Sequence, residues 1–97
     1  RGNSMEPTYL DGDVIFIRAQ QDVAEGQVAV VLVDDSAALK HVYHSTDGIT
    51  LVSDNPAYAP MRISGREHEC VRILGVVVGF QRFYTADPMK AVRKGLR

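Results

Sequence analysis

Several residue types are scarce in this chain, and each shortage excludes a class of protein. Among 97 residues there is one cysteine, Cys70, so a disulfide framework and a four-ligand zinc site are excluded. We expect Cys70 to be a small buried hydrophobic residue beside Val71. No apolar run reaches the roughly 18 residues that a membrane-spanning helix needs, and no signal peptide is recognisable. The composition predicts a soluble, cytoplasmic domain with no membrane partner and no cofactor.

Neither sign of charge dominates the chain. The 11 lysines and arginines are matched by 12 acidic residues, which gives a net charge of −1. Domains that bind nucleic acid usually carry a strongly basic face. The one basic run in this sequence is the C-terminal MKAVRKGLR. We interpret that run as a solvated chain end, and we predict that this chain alone does not bind duplex DNA.

Strand patterns account for most of the sequence. Strands are predicted at residues 13–18, at the continuous apolar run 28–33, and at the long run 70–83, in which Gly75 and Gly79 predict bends. A run like 28–33 is typical of a strand buried on both faces. Residues 38–44, the loop STDG and the run ITLVS together predict a β-hairpin.

Helix signals are weak by comparison. One helical turn is predicted at MEPTYL and another at residues 87–94. A chain of this length with 45% hydrophobic residues can bury one modest core. The sequence therefore predicts a single all-β domain, built as a small, strongly bent sheet or a partly closed barrel.

The three histidines do not predict a metal site. His41 and His44 lie three apart on a predicted strand, and side chains at that spacing point to opposite faces. We expect each to be a half-exposed sheet residue and His68 to face solvent. A Ser-His-Asp triad is possible in principle, but nothing in the local sequence favours it.

Ser4 and Lys40 are the more informative pair. Ser4 lies in the turn SMEP directly ahead of an apolar strand, where serines commonly only bend the backbone. Lys40 lies in AALKHVYH with Val42 on the same face, and it either snorkels to water or points inward. An inward lysine could deprotonate a serine if its pKa lay near 7, about three units below its ordinary value. The residues alone leave both interpretations open and favour the snorkelling one.

Five segments in order closely resemble the LexA-like peptidase family of Ser-Lys self-cleaving proteins. They are GNSMEPTYLDGDVIFI, GQVAVV, LKHVYH, LVSDNPAYAPM and ILGVVVG, and together they cover roughly residues 2–83. The family includes the SOS repressor, the UmuD mutagenesis proteins and the C-terminal domains of lambdoid phage repressors.

The resemblance assigns roles to residues of the N-terminal turn and of the third predicted strand. It implies that Ser4 is the nucleophile, that Lys40 is the general base, and that the backbone N–H groups of Asn3 and Ser4 stabilise the oxyanion. Gly2 would allow the tight turn, and Met5 and Pro7 would shape and shield it. Asp11 and Asp13 are interpreted as structural.

The resemblance also implies a function and partners. Residues 1–97 would be the peptidase and dimerisation domain of a transcriptional repressor, which binds operator DNA through an N-terminal domain absent from this chain. The substrate would be the protein's own upstream segment, cut at Ala-Gly or Cys-Gly, with cleavage promoted by the RecA filament. No such dipeptide precedes Ser4, so we expect the chain to be a cleavage product or a piece of a longer protein.

The sequence leaves two other functions open. One is a non-cleaving dimerisation and regulatory module with a vestigial site, which responds to an antirepressor protein. The other is a signal-peptidase-like or UmuD-like protein. In either repressor reading, the apolar run ILGVVVGFQRF predicts a two-fold homodimer, because a monomer this small cannot easily cover both its faces.

Overall fold

A computed structural model describes residues 3–65 and 70–83, which form one antiparallel sheet. The strands are β1 (Val14–Arg18), β2 (Val28–Val33), β3 (Ser36–Ser45), β4 (Gly48–Val52), β5 (Met61–Ser64) and β6 (Val71–Gln81). Their spatial order is β1-β6-β2-β3-β4-β5. The all-β prediction is confirmed, and over the described residues the sheet is open rather than closed into a barrel. In this part of the chain no helix is long and apolar enough to cross a membrane.

The core lies on one face of the sheet and is centred on β2. Ala29 and Val31 of this strand are fully buried, whereas the residues that alternate with them are partly exposed. Burial on both faces, which the apolar run predicted, is therefore found on one face only. The core cluster comprises Val23, Ala29, Val31, Val42, Ile49, Leu51, Ile63 and Val76.

Two short turns set the registers of the central strands. Asp34 and Asp35 join β2 to β3 and have φ angles of 47° and 70°. Positive φ at both central residues is the geometry of a type I′ hairpin turn, which Asp tolerates better than most residues. The predicted β3–β4 hairpin is confirmed, with a two-residue turn at 46–47 between the paired Ser45 and Gly48.

β6 is continuous through its two glycines, but it bends beside each of them. Its pairing with β2 skips Leu74, and its pairing with β1 skips Val78, so each glycine adjoins a β-bulge. At Gly75 a Cβ atom would lie 2.6 Å from the carbonyl oxygen of Arg18, which explains the need for glycine there. The predicted bends are confirmed.

A second burial prediction is also wrong. Cys70 is exposed, because it lies just before β6 at the edge of the described segment rather than inside the strand. Its carbonyl oxygen accepts a hydrogen bond from the N–H of Asp34 at 3.1 Å. The predictions for Gly2, His68 and the C-terminal tail, including the turn at 87–94, fall outside the described residues.

Candidate active site

Ser4 lies in a tight turn that precedes β1. Within it the N–H of Glu6 donates to the Asn3 carbonyl at 3.2 Å, and the N–H of Tyr9 donates to the Met5 carbonyl at 2.9 Å. The second bond is one turn of helical type, as MEPTYL predicts, and the Glu6–Pro7 peptide is cis. Met5 is buried and anchors the turn, while Ser4 beside it stays half-exposed. The turn therefore presents a serine hydroxyl at the surface of the sheet.

Ser4 lines a cleft of about 310 Å³ between this turn and the sheet. The sheet side of the cleft is formed by small and apolar residues of β2 and β3, and the other side by the chain that leads into β1. The lining residues are Ser4, Met5, Tyr9, Leu10, Asp11, Gly12, Asp13, Ile15, Val30, Ala37, Ala38 and Leu39.

The backbone carbonyl and N–H groups of Asn3 and Ser4 differ in their hydrogen bonds. The carbonyls of Asn3 and Ser4 both accept hydrogen bonds, but within the described residues neither N–H group donates one. Their assignment to an oxyanion site therefore stays a prediction.

Lys40 lies in the middle of β3, paired with Ala29, and its side chain is on the same face of the strand as the buried Val42. The lysine is half-buried, and burial lowers the pKa of its ammonium group. It therefore points towards the core side of the sheet instead of extending freely into water.

The hydrogen bond of the Lys40 ammonium is made with Ser53. Nζ donates to Ser53 Oγ at 2.6 Å, and it also lies 5.8 Å from the centre of the Tyr58 ring. In the part of the chain that the structure describes, Nζ makes no hydrogen bond with Ser4. Ser53 is 9% exposed and is the one buried polar residue of the described segments.

Ser53 is a contact of Lys40 that the sequence analysis missed. The last pair of the β3–β4 hairpin is His41 with Val52, so Ser53 follows at the position opposite Lys40. Ser53 also falls two residues after the buried Leu51, on the same face. A polar residue that continues a buried face was the signal that could have revealed it.

The Ser4 turn is held by the same segment that contains Ser53. The N–H of Asn55 donates to the Ser4 carbonyl at 2.9 Å, and Asn55 Nδ2 donates to the Asn3 carbonyl at 2.9 Å. The hydroxyl of Tyr58 donates to Asn3 Oδ1 at 2.5 Å. Ser4 and Lys40 are thus both in contact with residues 53–58, which connect them.

Comparisons with known proteins identify the family of the chain. A family model described as "Peptidase S24-like" matches residues 1–78 of the chain. The chain belongs to the peptidase S24-like family. The resemblance to LexA-like peptidases is thereby confirmed.

Named relatives of this peptidase S24-like chain are LexA repressors. That of Anaeromyxobacter sp. (strain Fw109-5) is 37% identical over 73 residues, 75% of this chain and 32% of the relative. The repressor of Geobacter sp. (strain M21) is 37% identical over 83 residues, 84% of this chain and 41% of the relative. The repressor of Thermosipho africanus is 33% identical over 84 residues, which are 86% of this chain and 41% of the relative. The chain spans about a third to two fifths of the length of these relatives.

The histidines of this peptidase S24-like domain point in opposite directions, as their spacing predicts. His41 Nε2 contacts Asp54 Oδ1 at 2.6 Å and Nδ1 contacts the Gly26 carbonyl at 2.8 Å. His44 instead pairs with Glu25 at 2.7 Å. No group of residues suited to a metal ion occurs among those described, which include His41 and His44.

Asp13 has the structural role that the sequence suggests. Its carboxylate accepts hydrogen bonds from the Leu10 N–H at 2.8 Å and from two nitrogens of Arg82 at 2.7 and 2.8 Å. The guanidinium hydrogen bonds lower the pKa of Asp13 to about 2. Asp13 therefore links the turn before β1 to Arg82, which follows the end of β6. Asp11 of this peptidase S24-like domain lines the cleft instead.

Proposed function

We propose that this chain is the C-terminal domain of a LexA-like or phage-type transcriptional repressor and that it cleaves its own upstream segment. In this proposal Ser4 is the nucleophile and Lys40 is the general base. The longer protein binds operator DNA through its N-terminal domain, and self-cleavage separates that domain from the dimerising one.

The observation that supports this best is the environment of Lys40. A general base must be neutral to accept a proton, and burial lowers the pKa of this lysine towards that state. The same short segment that bonds Lys40 also bonds the Ser4 carbonyl. A lysine with a purely structural role would not need this link to a serine turn from the other end of the chain.

The chemistry follows from these groups. The neutral amine of Lys40 takes the proton of Ser4 Oγ while Oγ bonds to the carbonyl carbon of the scissile peptide. The carbonyl electrons move onto oxygen, and the N–H groups of Asn3 and Ser4 stabilise that oxyanion. Collapse breaks the C–N bond, and the leaving amine takes the proton from the Lys40 ammonium. Water then hydrolyses the Ser4 ester by the same steps.

The substrate of this reaction is the upstream segment of the same polypeptide, laid along the cleft beside Ser4. Val30, Ala37 and Ala38 on the sheet side leave room for small side chains. Ala-Gly or Cys-Gly, the dipeptides expected from the resemblance, meet that requirement. Cleavage in the cytoplasm would be promoted by the RecA filament on single-stranded DNA, which favours the bound position of the segment.

Self-association is the second part of the proposal. Apolar side chains that are more than a third exposed concentrate on β1 and β6. They are Val14, Phe16, Ile17, Leu74, Val78 and Phe80. Apolar groups gathered on two neighbouring strands favour a two-fold dimer formed through this side of the sheet.

One observation favours a different function. The Lys40 ammonium bonds to Ser53 and not to Ser4, which is the arrangement expected of a lysine without a catalytic role. In that case the domain is a non-cleaving dimerisation module that responds to an antirepressor. No observation favours the signal-peptidase-like or UmuD-like alternatives.

The test uses the longer natural protein that contains the upstream segment, incubated from pH 7 to pH 10 and analysed by mass spectrometry. We expect one cut upstream of Ser4, at a rate that rises with pH as Lys40 loses its proton. Ser4→Ala and Lys40→Arg should both remain intact, since an arginine does not deprotonate in a protein. Ser36→Ala, at an exposed serine outside the site, is the control. A folded parent that stays uncut at pH 10 would favour the non-cleaving module.

A further inference from the structure

We propose that residues 53–58, here called the positioning loop, set the geometry of both catalytic groups, with Ser53 orienting Lys40 and Asn55 and Tyr58 fixing the turn that bears Ser4. The inference rests on the proposed function. It assigns the loop no direct part in bond making, so its members are positioning residues.

The contact with Lys40 fixes an otherwise flexible side chain. A lysine has four rotatable bonds and can place its nitrogen in many positions. The 2.6 Å hydrogen bond to Ser53 Oγ selects one of them, and Ser53 is itself held by its burial at the end of β4. When Nζ loses a proton, a remaining N–H can keep this bond. The nitrogen lone pair is then directed away from Ser53.

The contacts with the Ser4 turn fix the nucleophile. Two hydrogen bonds from Asn55 and one from Tyr58 reach the carbonyl of Ser4 and the carbonyl and side chain of Asn3. Asn55 Oδ1 accepts from the N–H of Ala57 at 2.9 Å, which orients the amide so that Nδ2 faces Asn3. These bonds use the oxygen atoms of residues 3 and 4. They leave the N–H groups of the turn for the oxyanion.

The positioning loop is also attached to the strand that carries the base. Asp54, between Ser53 and Asn55, pairs with His41, the neighbour of Lys40 on β3. Tyr58 spans both sides, because its ring lies near Lys40 Nζ while its hydroxyl bonds to Asn3. A displacement of this loop would therefore change the distance between Ser4 and Lys40, which no direct hydrogen bond maintains.

The sharpest test is Ser53→Ala, because it should lower the pKa of Lys40 and also lower the cleavage rate. A lower pKa alone would raise the rate at pH 7. Loss of the hydroxyl removes an acceptor from the ammonium, so the pKa of Lys40 should fall and more of it should be neutral at pH 7. The cleavage rate should nevertheless fall by about 100-fold, since a misplaced group costs that much. Ser53→Thr, which keeps the hydroxyl, should restore much of the rate.

Two measurements are needed. The first follows the Lys40 Cε resonance of the 97-residue chain by NMR titration, in the parent and in Ser53→Ala. The second records the cleavage rate against pH in the longer natural protein, with Asn55→Ala as the partner variant. Asn55→Ala should lower the rate at every pH without moving the midpoint of the profile. Ser36→Ala, at an exposed serine at the start of β3, should change neither.

The outcomes separate this inference from the proposed function. A parent that never cleaves contradicts the proposed function, and the NMR titration then still decides whether Ser53 holds the ammonium. A lower midpoint in Ser53→Ala supports the inference, and an unchanged midpoint overturns it. A parent that cleaves while Ser53→Ala cleaves at the same rate and midpoint also overturns it. Circular dichroism confirms that each variant is folded.

Discussion

Two regions of the sheet differ in what their side chains do. Around Lys40 and the positioning loop, the side chains of Lys40, Ser53, Asp54 and Asn55 are partly or fully buried, and each is engaged in a defined hydrogen bond. On β1 and β6, apolar side chains face water, and Val78 is 53% exposed. The first region has its contacts satisfied within the chain, whereas the second has apolar surface still available.

The difference matches the two tasks proposed for this small sheet, self-cleavage and self-association. Orienting a proton acceptor requires polar contacts of fixed geometry. Such contacts add little to the stability of a small domain, because each polar group also loses its hydrogen bonds with water. Association requires apolar area that the monomer leaves uncovered. We therefore expect changes in one region to leave the function of the other intact.

The largest effect is expected from Lys40→Met in the longer protein. Loss of the general base should lower the rate of self-cleavage at pH 7 by about 1,000-fold or more, while dimerisation stays at the parental level. Cleavage is followed by mass spectrometry and association by sedimentation. Arg62→Met, at an exposed cation on β5, is the control and should cleave normally. Loss of both activities in Lys40→Met would show that the two regions are not independent.

The next effect concerns the apolar region. Phe16→Glu combined with Val78→Glu should weaken the dimer by roughly 100-fold, about 2.8 kcal/mol, because charges would enter an apolar interface. Sedimentation equilibrium of the 97-residue chain measures this. Met61→Glu is the matched control, since Met61 is 45% exposed on the opposite edge strand. Equal weakening by the control, or a parent that is monomeric at millimolar concentration, would contradict the proposed dimer side.

A smaller effect is expected from Asp13, which lies between the Ser4 turn and β1. Asp13 has a folded pKa of about 2, below its ordinary value, so its pairing with Arg82 stabilises the fold above about pH 4. That contribution disappears as the pH falls through about 2. Asp13→Asn should lower the Tm at pH 7, and its difference from the parent should vanish as the pH falls below about 2. Asp11→Asn, at the exposed neighbour, should follow the parent throughout.

The smallest effect concerns stability and Lys40. Because burial lowers the pKa of this lysine in the folded state, the unfolded chain binds more protons between the folded pKa and about 10.4. This group therefore makes the fold more stable as the pH rises through that range. Lys40→Met lacks the contribution, so the difference in unfolding free energy between parent and variant should shift in the parent's favour from pH 7 to pH 10. Urea unfolding measures it, and a pH-independent difference would contradict the burial of Lys40.

The sequence predicted the elements of the fold better than the contacts between them. The hairpin, the bends of β6 and the opposed histidines follow from local patterns of alternation and turn residues. The I′ turn was missed because Asp34 and Asp35 were not recognised as residues that tolerate positive φ. Cys70 was misjudged because composition indicates burial only on average, and this residue lies beyond the end of its strand.

The candidate site shows a similar division. The resemblance assigned roles to Ser4 and Lys40, and those roles stay predictions. Ser53 was within reach, since the hairpin register places it opposite Lys40. The bonds from Asn55 and Tyr58 to Asn3 span 52 and 55 residues. Such contacts depend on how the ends of the sheet come together, which no local pattern specifies.

The two-residue turn at 46–47 also sets the register of β3 and β4 at the candidate site. It lies roughly 20 Å from Lys40 along β3, yet its length determines which residue of the other arm faces the lysine. An extra residue that slipped the register by one would bring Val52 or Asp54 opposite Lys40 and turn the hydroxyl of Ser53 to the other face. An insertion at this exposed tip would therefore change the candidate site without replacing any residue in it.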